Sequence, residues 1–373
     1  MTERRRLRVL LVSGSLPPVR CGVGDYTAGL ARALAETGRM EVAVLTSRLE
    51  GGRGPESATG FEVLEPIHDW SATSLRPALE MLRSWKPDVV HVQHPTQGYD
   101  GTLPFVLGLA ARWRLGLPLV LTLHEPVGVN RQVFAMAALI RSAGAVVVVR
   151  HNFRSLVHPR VRWTITAKEL RFIPNASTLP RVDRTPERLR AVRERYHAGA
   201  KTIVAYFGFI YASRGVHQLF QIADPAQHCL VIVGGRLEEA AAYHDDIVAL
   251  ARQPEWADAC TLAGFLPAEQ AAEVLACADA VVLPFTGGGG SWNTSIHGAR
   301  LQGTFVLTTS REARGYDAEQ NVYYAAPGDI GEMRAALRRH MGVRAPVRGV
   351  PTWDSVAAEH LDVYTGLRAR RGA

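Results

Sequence analysis

The sequence has few cysteines, no long uninterrupted apolar run and no Asp-x-Asp motif. Its four cysteines lie far apart without metal-type spacing, which indicates reduced thiols in a cytoplasmic protein. The apolar segment 133–149 is interrupted by Arg141, and no signal peptide is visible, so we expect no membrane span and no secretion. Because the Asp-x-Asp motif is missing, a metal site built on that motif has no support, and we expect no metal.

The composition is that of a globular protein with a basic charge balance. Hydrophobic residues make up 47% and charged residues 21% of the 373 residues, a length that suits two domains. The formal net charge of +8 favours an anionic partner. The arginines form no aromatic-interleaved stripe, so nucleic acid is not expected. An anionic small ligand, or weak contact with an acidic membrane surface, remains open, and the sequence does not indicate an oligomeric state.

Strand and helix patterns alternate along both halves of the chain. Largely apolar strands separated by helices predict parallel sheets covered on both faces. We therefore expect an α/β protein of two Rossmann-like, doubly wound domains that face a cleft. The predicted domains are residues 1–178 and 179–351, and a helix at 352–370 is expected to pack back on the first. Chemistry is expected after the strands, at their carboxyl ends.

A glycine-rich loop between a strand and a helix is the strongest single signal. An apolar run at residues 278–285 leads into Gly287–Gly290 and then into a predicted helix at 294–302. Glycines let the backbone approach an anion, and the first N–H groups of a helix point at it. The loop residues predicted to contact a phosphate are Gly289, Gly290, Ser291, Asn293, Thr294 and Ser295. A flexible linker is the alternative.

In the first half, the candidates follow the strands predicted at residues 7–13, 88–92 and 119–123. A loop with Gly22 and Gly24 precedes a helix predicted to begin near Asp25, with Asp25 as its cap. The Gly-x-Gly pair lacks the spacing of a nicotinamide site. His124 ends a strand, where it can bind a hydroxyl or handle a proton; a structural histidine is the alternative. The predicted acceptor-side residues are Asp25, Tyr26, Gln93 and His94.

In the second half, Arg214 lies beside a glycine after the strand predicted at 201–207. A guanidinium at that position can neutralise a diphosphate, and an ordinary solvated arginine is the alternative.

Taken in order, these segments resemble the GT-B glycosyltransferases, in particular the retaining enzymes of glycosyltransferase family 4 (GT4). The resemblance covers nearly the whole chain. It is carried by Pro17-Pro18, Cys21 to Tyr26, Asp88 to Gln93, Leu121 to His124, Ile173 to Asn175, Phe207 to Phe209, Arg214 to Val216, Gly264 to Leu266, Ala278 to Phe285 and Trp353.

The resemblance implies transfer of a hexose from a UDP- or GDP-sugar to a hydroxyl acceptor, with retention and without a metal or other cofactor. It implies that Gly22 contacts donor phosphate, that His124 contacts the transferred sugar and that Arg214 binds the diphosphate. The residues implied to line the rest of the donor site are Gly24, Phe209, Gly264, Phe265 and Leu266.

The chain departs from the family at two acidic positions. Many members carry a Glu-x7-Glu pair, and alignment places Gly290 and Gly298 there. Two alternative functions therefore stay open beside the transferase. One is a nucleotide-sugar epimerase or hydrolase, and the other is a partner subunit that binds a nucleotide sugar without catalysis.

Overall fold

The computed structural model describes residues 5–49, 60–290 and 292–372 of the chain. It divides into two compact units. Unit 1 comprises Met1–Asn175 and Thr352–Ala373, and unit 2 comprises Ala176–Pro351.

Unit 1 is built on a seven-stranded parallel sheet. Its strands are β1 (Leu7–Val12), β2 (Met40–Ser47), β3 (Glu62–Ile67), β4 (Val89–His94), β5 (Leu119–Leu123), β6 (Ala145–Val148) and β7 (Leu170–Phe172). They lie in the order β3-β2-β1-β4-β5-β6-β7. Every residue of β5 is buried, as expected for a strand covered on both faces.

Helices connect these strands. They are α1 (Gly22–Glu36), α2 (Leu75–Trp85), α3 (Leu103–Trp113), α4 (Val133–Ser142), α5 (Phe153–Leu156) and α6 (Trp163–Thr166). The C-terminal helix of the chain, Trp353–Gly372, packs against α1 within unit 1. At this contact the ring of Trp353 occupies the space where a Cβ atom of Gly29 would lie.

Unit 2 repeats the plan with seven strands. They are β8 (Thr202–Phe207), β9 (His228–Val233), β10 (Cys260–Gly264), β11 (Ala280–Leu283), β12 (Val306–Thr309), β13 (Gly315–Asp317) and β14 (Val322–Ala325). Their order is β10-β9-β8-β11-β12-β14-β13, and only the pairing of β13 with β14 is antiparallel in the described sheet.

The helices of unit 2 are α7 (Pro186–Arg195), α8 (Leu219–Ile222), α9 (Ala241–Ala251), α10 (Ala268–Cys277), α11 (Thr294–Leu301) and α12 (Ile330–His340), so the C-terminal helix is α13. Thr185 caps α7 by accepting a hydrogen bond from the N–H of Arg188. Asp329 caps α12 in the same way through the N–H of Glu332.

The expectation of two doubly wound α/β sheets is confirmed. The strands β3, β7, β13 and β14 were not predicted. Three of them, β7, β13 and β14, are only three or four residues long and therefore carry little periodic signal. The helix predicted near Gln218 is a single α-turn after 3₁₀ turns. Among the described residues, no helix combines the length and the apolar character needed to cross a membrane.

The contact between Gly29 and Trp353 gives a stability prediction. Gly29→Ala should lower the free energy of unfolding by about 1–3 kcal/mol, because the added methyl group overlaps the indole ring. Gly366→Ala on α13 is the matched control. No atom lies within 4 Å of its Cβ position, so it should gain up to about 1 kcal/mol from helix propensity. Urea denaturation measures both, and equal stabilisation by the two variants would contradict this packing.

Candidate active site

Each sheet reverses its direction of winding at one pair of neighbouring strands. In unit 1 these strands are β1 and β4, and in unit 2 they are β8 and β11. Loops that leave such a pair go to opposite sides of the sheet and open a crevice at the carboxyl ends of the strands. The predicted site residues lie at these two edges, and each edge is described separately.

At the edge of unit 1, His124 follows β5 and is 7% exposed. Its Nε2–H donates to Oε1 of Gln93 (2.8 Å). The amide nitrogen of Gln93 in turn lies 3.3 Å from Nε2 of His91, and Nδ1 of His91 lies 2.7 Å from the hydroxyl of Tyr364 on α13. A buried chain of hydrogen bonds therefore runs from Tyr364 to His124.

This series of hydrogen bonds determines which nitrogen of the His124 ring carries the proton. Because Oε1 of Gln93 can only accept, the hydrogen must be on Nε2 of His124, and Nδ1 is left as an acceptor. Burial, with smaller contributions from His94 and His360, lowers the pKa of His124 to about 3. The ring is thus neutral near pH 7, with one nitrogen able to accept a hydrogen bond from a hydroxyl.

Aromatic residues fix the plane of the His124 ring. The edge of Tyr26 packs against His124, with ring centroids 4.8 Å apart, and Trp353 packs behind Tyr26 at 5.5 Å. Tyr26 and Gln93, both predicted on the acceptor side, are buried. Tyr26 and Gln93 therefore both contact His124 and support its ring.

Helix α1 begins earlier than predicted. It starts at Gly22 with Cys21 as N-cap, so the prediction that Asp25 caps the helix is wrong. Asp25 instead lies in the first turn, where burial raises the pKa of its carboxyl to about 6. Gly22 is exposed at the helix start, with no atom within 4 Å of its Cβ position. Gly24 is buried, and its Cβ position lies 3.1 Å from the carbonyl oxygen of Ser15.

These contacts show that Gly22 and Gly24, which the sequence places in one loop, have different roles. Gly24 is small because α1 packs there on the loop after β1. Gly22 leaves the first-turn backbone open to an anion.

A cavity of about 240 Å³ adjoins this edge. His94 lines it from the end of β4, Glu125 from the end of β5, and Gln132 and Met136 from α4 and its preceding loop. Burial lowers the pKa of His94 to about 4. The lining combines apolar groups with a few polar ones, as in small-molecule sites.

At the edge of unit 2, Arg214 lies between the ends of β8 and β11. Its Nε–H donates to the hydroxyl of Tyr211 (2.8 Å), and its guanidinium lies 5.2 Å from the centre of the Phe285 ring. The neighbouring Gly215 has φ of 68° and packs against the carbonyl oxygen of Pro284. A side chain at this glycine would push the arginine away from the glycine-rich loop.

Two N–H groups of the glycine-rich loop are already used within the protein. The N–H of Gly289 donates to the carbonyl oxygen of Thr309 (2.7 Å), and that of Gly290 donates to Oδ1 of Asn293 (2.9 Å). Both N–H groups therefore already have acceptors within the protein, and contact of Gly289 and Gly290 with a donor stays a prediction. Ser291, the next predicted contact, lies outside the described residues.

The start of α11 keeps the features of an anion site. Asn293 is its N-cap but makes no capping hydrogen bond to the first turn, because its side chain turns back to Gly290. The backbone of Thr294 and Ser295 therefore begins the helix without a side-chain cap. The Oγ of Ser295 lies 3.3 Å from the Cβ position of Gly208, which follows β8.

Apolar side chains fill the two positions where the family carries glutamates. A Cβ atom on Gly290 would overlap the ring of Trp292. Gly298 is buried within α11, and its Cβ position lies 3.2 Å from Cδ1 of Leu179. An apolar side chain therefore borders each position, and Oγ of Ser177 also lies 3.6 Å from the Cβ position of Gly298.

The remaining predicted donor residues lie after β8 and β10. Phe209 and Phe265 meet edge to face with ring centroids 6.0 Å apart, and Phe265 is 39% exposed. Gly264 has φ of 68°, and its carbonyl oxygen accepts from the N–H of Gly234. Leu266 packs against the core of unit 2. The exposed aromatic pair offers a stacking surface.

Sequence reasoning missed His91, Tyr364 and Trp353 as supports of His124. His91 lies inside the strand predicted at residues 88–92, and Tyr364 lies 273 residues further along the chain. The one available signal was the alternation in β4, where His91 and Gln93 share a face of the strand.

Two seven-stranded, mostly parallel sheets with sites at their winding reversals define a GT-B protein. In agreement, the chain matches three solved structures over 96% or more of its length. They are sucrose-phosphate synthase from Thermosynechococcus elongatus (TM-score 0.77, 18% identity, 98% of this chain and 100% of that one), a glycosyltransferase from Rickettsia africae (TM-score 0.72, 12% identity, 97% and 98%) and Anabaena HepE with UDP and glucose (TM-score 0.65, 13% identity, 98% and 98%).

Sequence comparisons define the family more closely. Residues 21–176 match the glycosyl transferase 4-like domain. The chain is 26% identical over 271 residues to the GDP-mannose-dependent alpha-mannosyltransferase of Mycobacterium tuberculosis. That match spans 63% of this chain and 64% of the relative, which is less than two thirds of the relative's length. The chain is thus similar to GT4-type glycosyltransferases over residues 21–176.

Four buried histidines predict a loss of stability in acid. Burial lowers the pKa of His94 and His360 to about 4 and of His124 to about 3, and it lowers the pKa of His91 well below its usual value. The unfolded chain takes up these protons near pH 6.5, so it binds more protons than the folded chain below that pH. The free energy of unfolding should fall by about 1–2 kcal/mol per histidine between pH 7 and pH 5.

Asp25 acts in the opposite direction, because its raised pKa stabilises the folded state as the pH falls toward 5, which offsets about one histidine. Urea denaturation at pH 7, 6 and 5 measures the net slope. His360→Gln should flatten the slope, and the exposed control His68→Gln should leave it unchanged. A pH-independent midpoint would show that these rings are not neutral in the folded state.

Proposed function

We propose that this chain is a retaining, metal-independent glycosyltransferase that moves a hexose from a nucleoside diphosphate sugar to a hydroxyl acceptor. The observation that carries the proposal is His124, which is neutral, held in one tautomer and placed at the carboxyl end of β5, next to β4 of the winding reversal. A hydroxyl-rich substrate suits an acceptor nitrogen in that position. The similarity of residues 21–176 to the glycosyl transferase 4-like domain supports the same reaction class.

The proposed donor is a UDP- or GDP-sugar. These two nucleotides are proposed from similar proteins. HepE was solved with UDP and glucose, and the mycobacterial relative is named as GDP-mannose-dependent. In this chain the diphosphate would bind Arg214 and the first-turn N–H groups of Thr294 and Ser295. The aromatic pair Phe209 and Phe265 would pack against the base.

In the proposed reaction, the bond between the sugar C1 and the diphosphate oxygen breaks, and the acceptor oxygen bonds to C1 on the same face. The acceptor proton passes to the departing diphosphate oxygen. Arg214 and the α11 dipole stabilise the negative charge on that diphosphate. Nδ1 of His124 accepts a hydrogen bond from a hydroxyl of the transferred sugar and orients it.

Asp25 supports one alternative, a hydrolase or epimerase acting on a nucleotide sugar. Its carboxyl, with a pKa raised to about 6, is suited to proton transfer near neutral pH. The two functions differ in their need for an acceptor. NMR of the products after incubation with donor alone distinguishes them, since a transferase leaves most of the donor intact.

The proposal predicts the behaviour of His124→Ala. With UDP-glucose, GDP-mannose and a panel of sugar acceptors, the wild type should release nucleotide, and the variant should lose at least about 100-fold in kcat. The exposed control His68→Ala should keep full activity. Thermal stabilisation by UDP or GDP should survive in His124→Ala, because the diphosphate site is on unit 2. Absence of both stabilisation and release in the wild type would refute the proposal.

Gln93→Glu tests the tautomer assignment. The change is nearly isosteric, but it places a buried carboxylate 2.8 Å from Nε2 of His124. An opposite charge at this distance favours the imidazolium and should raise the His124 pKa by several units. The ring proton signals of His124 should titrate between pH 5 and pH 8 in the variant only, and kcat should fall by about tenfold or more. A silent ring in both proteins would contradict the assigned hydrogen bond.

A further inference from the structure

The net charge of the chain is concentrated in one segment of unit 1. Residues 101–172 contain ten lysines and arginines but only two acidic residues, Glu125 and Glu169. This segment therefore carries a formal charge of +8, which equals the net charge of the whole chain. The arginine clusters near the ends of the chain and at residues 181–195 are balanced by acidic residues elsewhere.

The same segment holds most of the exposed apolar side chains. Seven large hydrophobic residues are exposed in the described part of the chain, and five of them lie here: Trp113, Val129, Phe134, Leu156 and Trp163. Phe134 is 74% and Trp113 is 70% exposed. Single exposed apolar residues are ordinary, but five in a strongly basic segment indicate a contact surface.

Three of these side chains, Trp113, Phe134 and Trp163, lie on one face formed by the neighbouring helices α3, α4 and α6. The rings of Phe134 on α4 and Trp163 on α6 lie 5.9 Å apart. At the other end of α4, Nε1 of Trp113 donates to Oγ of Ser142 (3.0 Å). Phe134 and Arg141 are seven residues apart on α4 and therefore share its outer side.

Cations gather at the Trp113 end of this face. The guanidinium of Arg112 lies 5.3 Å from the Trp113 ring. Burial lowers the pKa of Lys168, and the charges of Arg112 and Arg141 lower it further, so these three cations repel one another. Of the two acidic residues in the segment, Glu125 is paired with Arg150 (2.9 Å). We call Arg112, Trp113, Phe134, Arg141, Trp163 and Lys168 the aromatic–basic face.

We propose that the aromatic–basic face docks on the surface of an anionic lipid membrane. Tryptophan and phenylalanine side chains settle at the level of lipid headgroups, while lysine and arginine bind anionic headgroups. The mutual repulsion of the three cations is relieved when negative charge covers them. A membrane fits both components of the face, whereas a purely electrostatic partner such as nucleic acid leaves Phe134 without a role. The proposal is independent of the transferase activity.

The test is flotation of the full chain with vesicles. Vesicles of phosphatidylcholine with about one third phosphatidylglycerol should carry the protein upward, and vesicles of phosphatidylcholine alone should not. Binding should weaken strongly in about 0.5 M salt, because screening shortens the reach of the charges.

Two variants test the apolar and the basic contributions to vesicle binding separately. Phe134→Ser with Trp163→Ser should weaken binding about tenfold through lost apolar contact, and Arg141→Glu should do so through reversed charge. Neither change threatens folding, because Phe134 is largely exposed and Arg141→Glu relieves repulsion. The matched controls are Val343→Ser, another exposed apolar residue, and Arg338→Glu, an exposed arginine of unit 2. Both controls should bind like the wild type.

Three results would overturn the proposal. They are equal flotation with neutral and anionic vesicles, equal weakening by the control substitutions, and full vesicle binding by the Phe134→Ser/Trp163→Ser protein. The last result, together with competition by single-stranded RNA, would identify the face as an electrostatic nucleic-acid surface. Flotation measures no turnover, so a failed transferase assay leaves the outcome unaffected.

Discussion

The chemistry proposed for unit 1 depends on one buried chain of hydrogen bonds, from Tyr364 through His91 and Gln93 to His124. A buried polar network is stable only when its members satisfy one another, because an unpaired buried group costs about 1–3 kcal/mol. That requirement orients His124 and keeps it neutral. It also explains why the C-terminal helix α13 belongs to unit 1: without α13, His91 would keep the hydroxyl of Thr122 but lose that of Tyr364, and Tyr26 would lose Trp353.

The charged groups at the candidate site of unit 2 differ from those that the resemblance implies. A site with two glutamates can accept hydrogen bonds from a sugar or a ribose, but here Trp292 and Leu179 fill the corresponding space. Arg214 and the uncapped start of α11 remain as positive groups. We infer that the site recognises its ligand mainly through the anionic diphosphate and through apolar contact. This arrangement suits a donor whose phosphates supply most of the binding energy.

Much of the architecture could be predicted from the sequence, because buried parallel strands are nearly continuous apolar runs. The predicted bounds of β5, residues 119–123, agree with the structure. The start of α1 was misplaced because Asp25 is a good cap by residue type, whereas the backbone turns into the helix at Cys21. The glycine-rich loop was predicted to bind phosphate. The sequence pattern alone could not show that the N–H groups of Gly289 and Gly290 already donate to acceptors within the protein.

By itself, the sequence determined the two α/β units, the resemblance to GT4-type glycosyltransferases, and the positions of His124 and Arg214 after their strands. These properties follow from local periodicity and from the order of short motifs along one chain. Only the tertiary structure decided the protonation of His124, the supports behind it, the side chains that replace the two glutamates, and the face on which aromatic and basic residues gather. Such properties depend on contacts between residues far apart in sequence, as Tyr364 and His91 are. Burial in the folded protein then sets the pKa values of the ionisable groups among them.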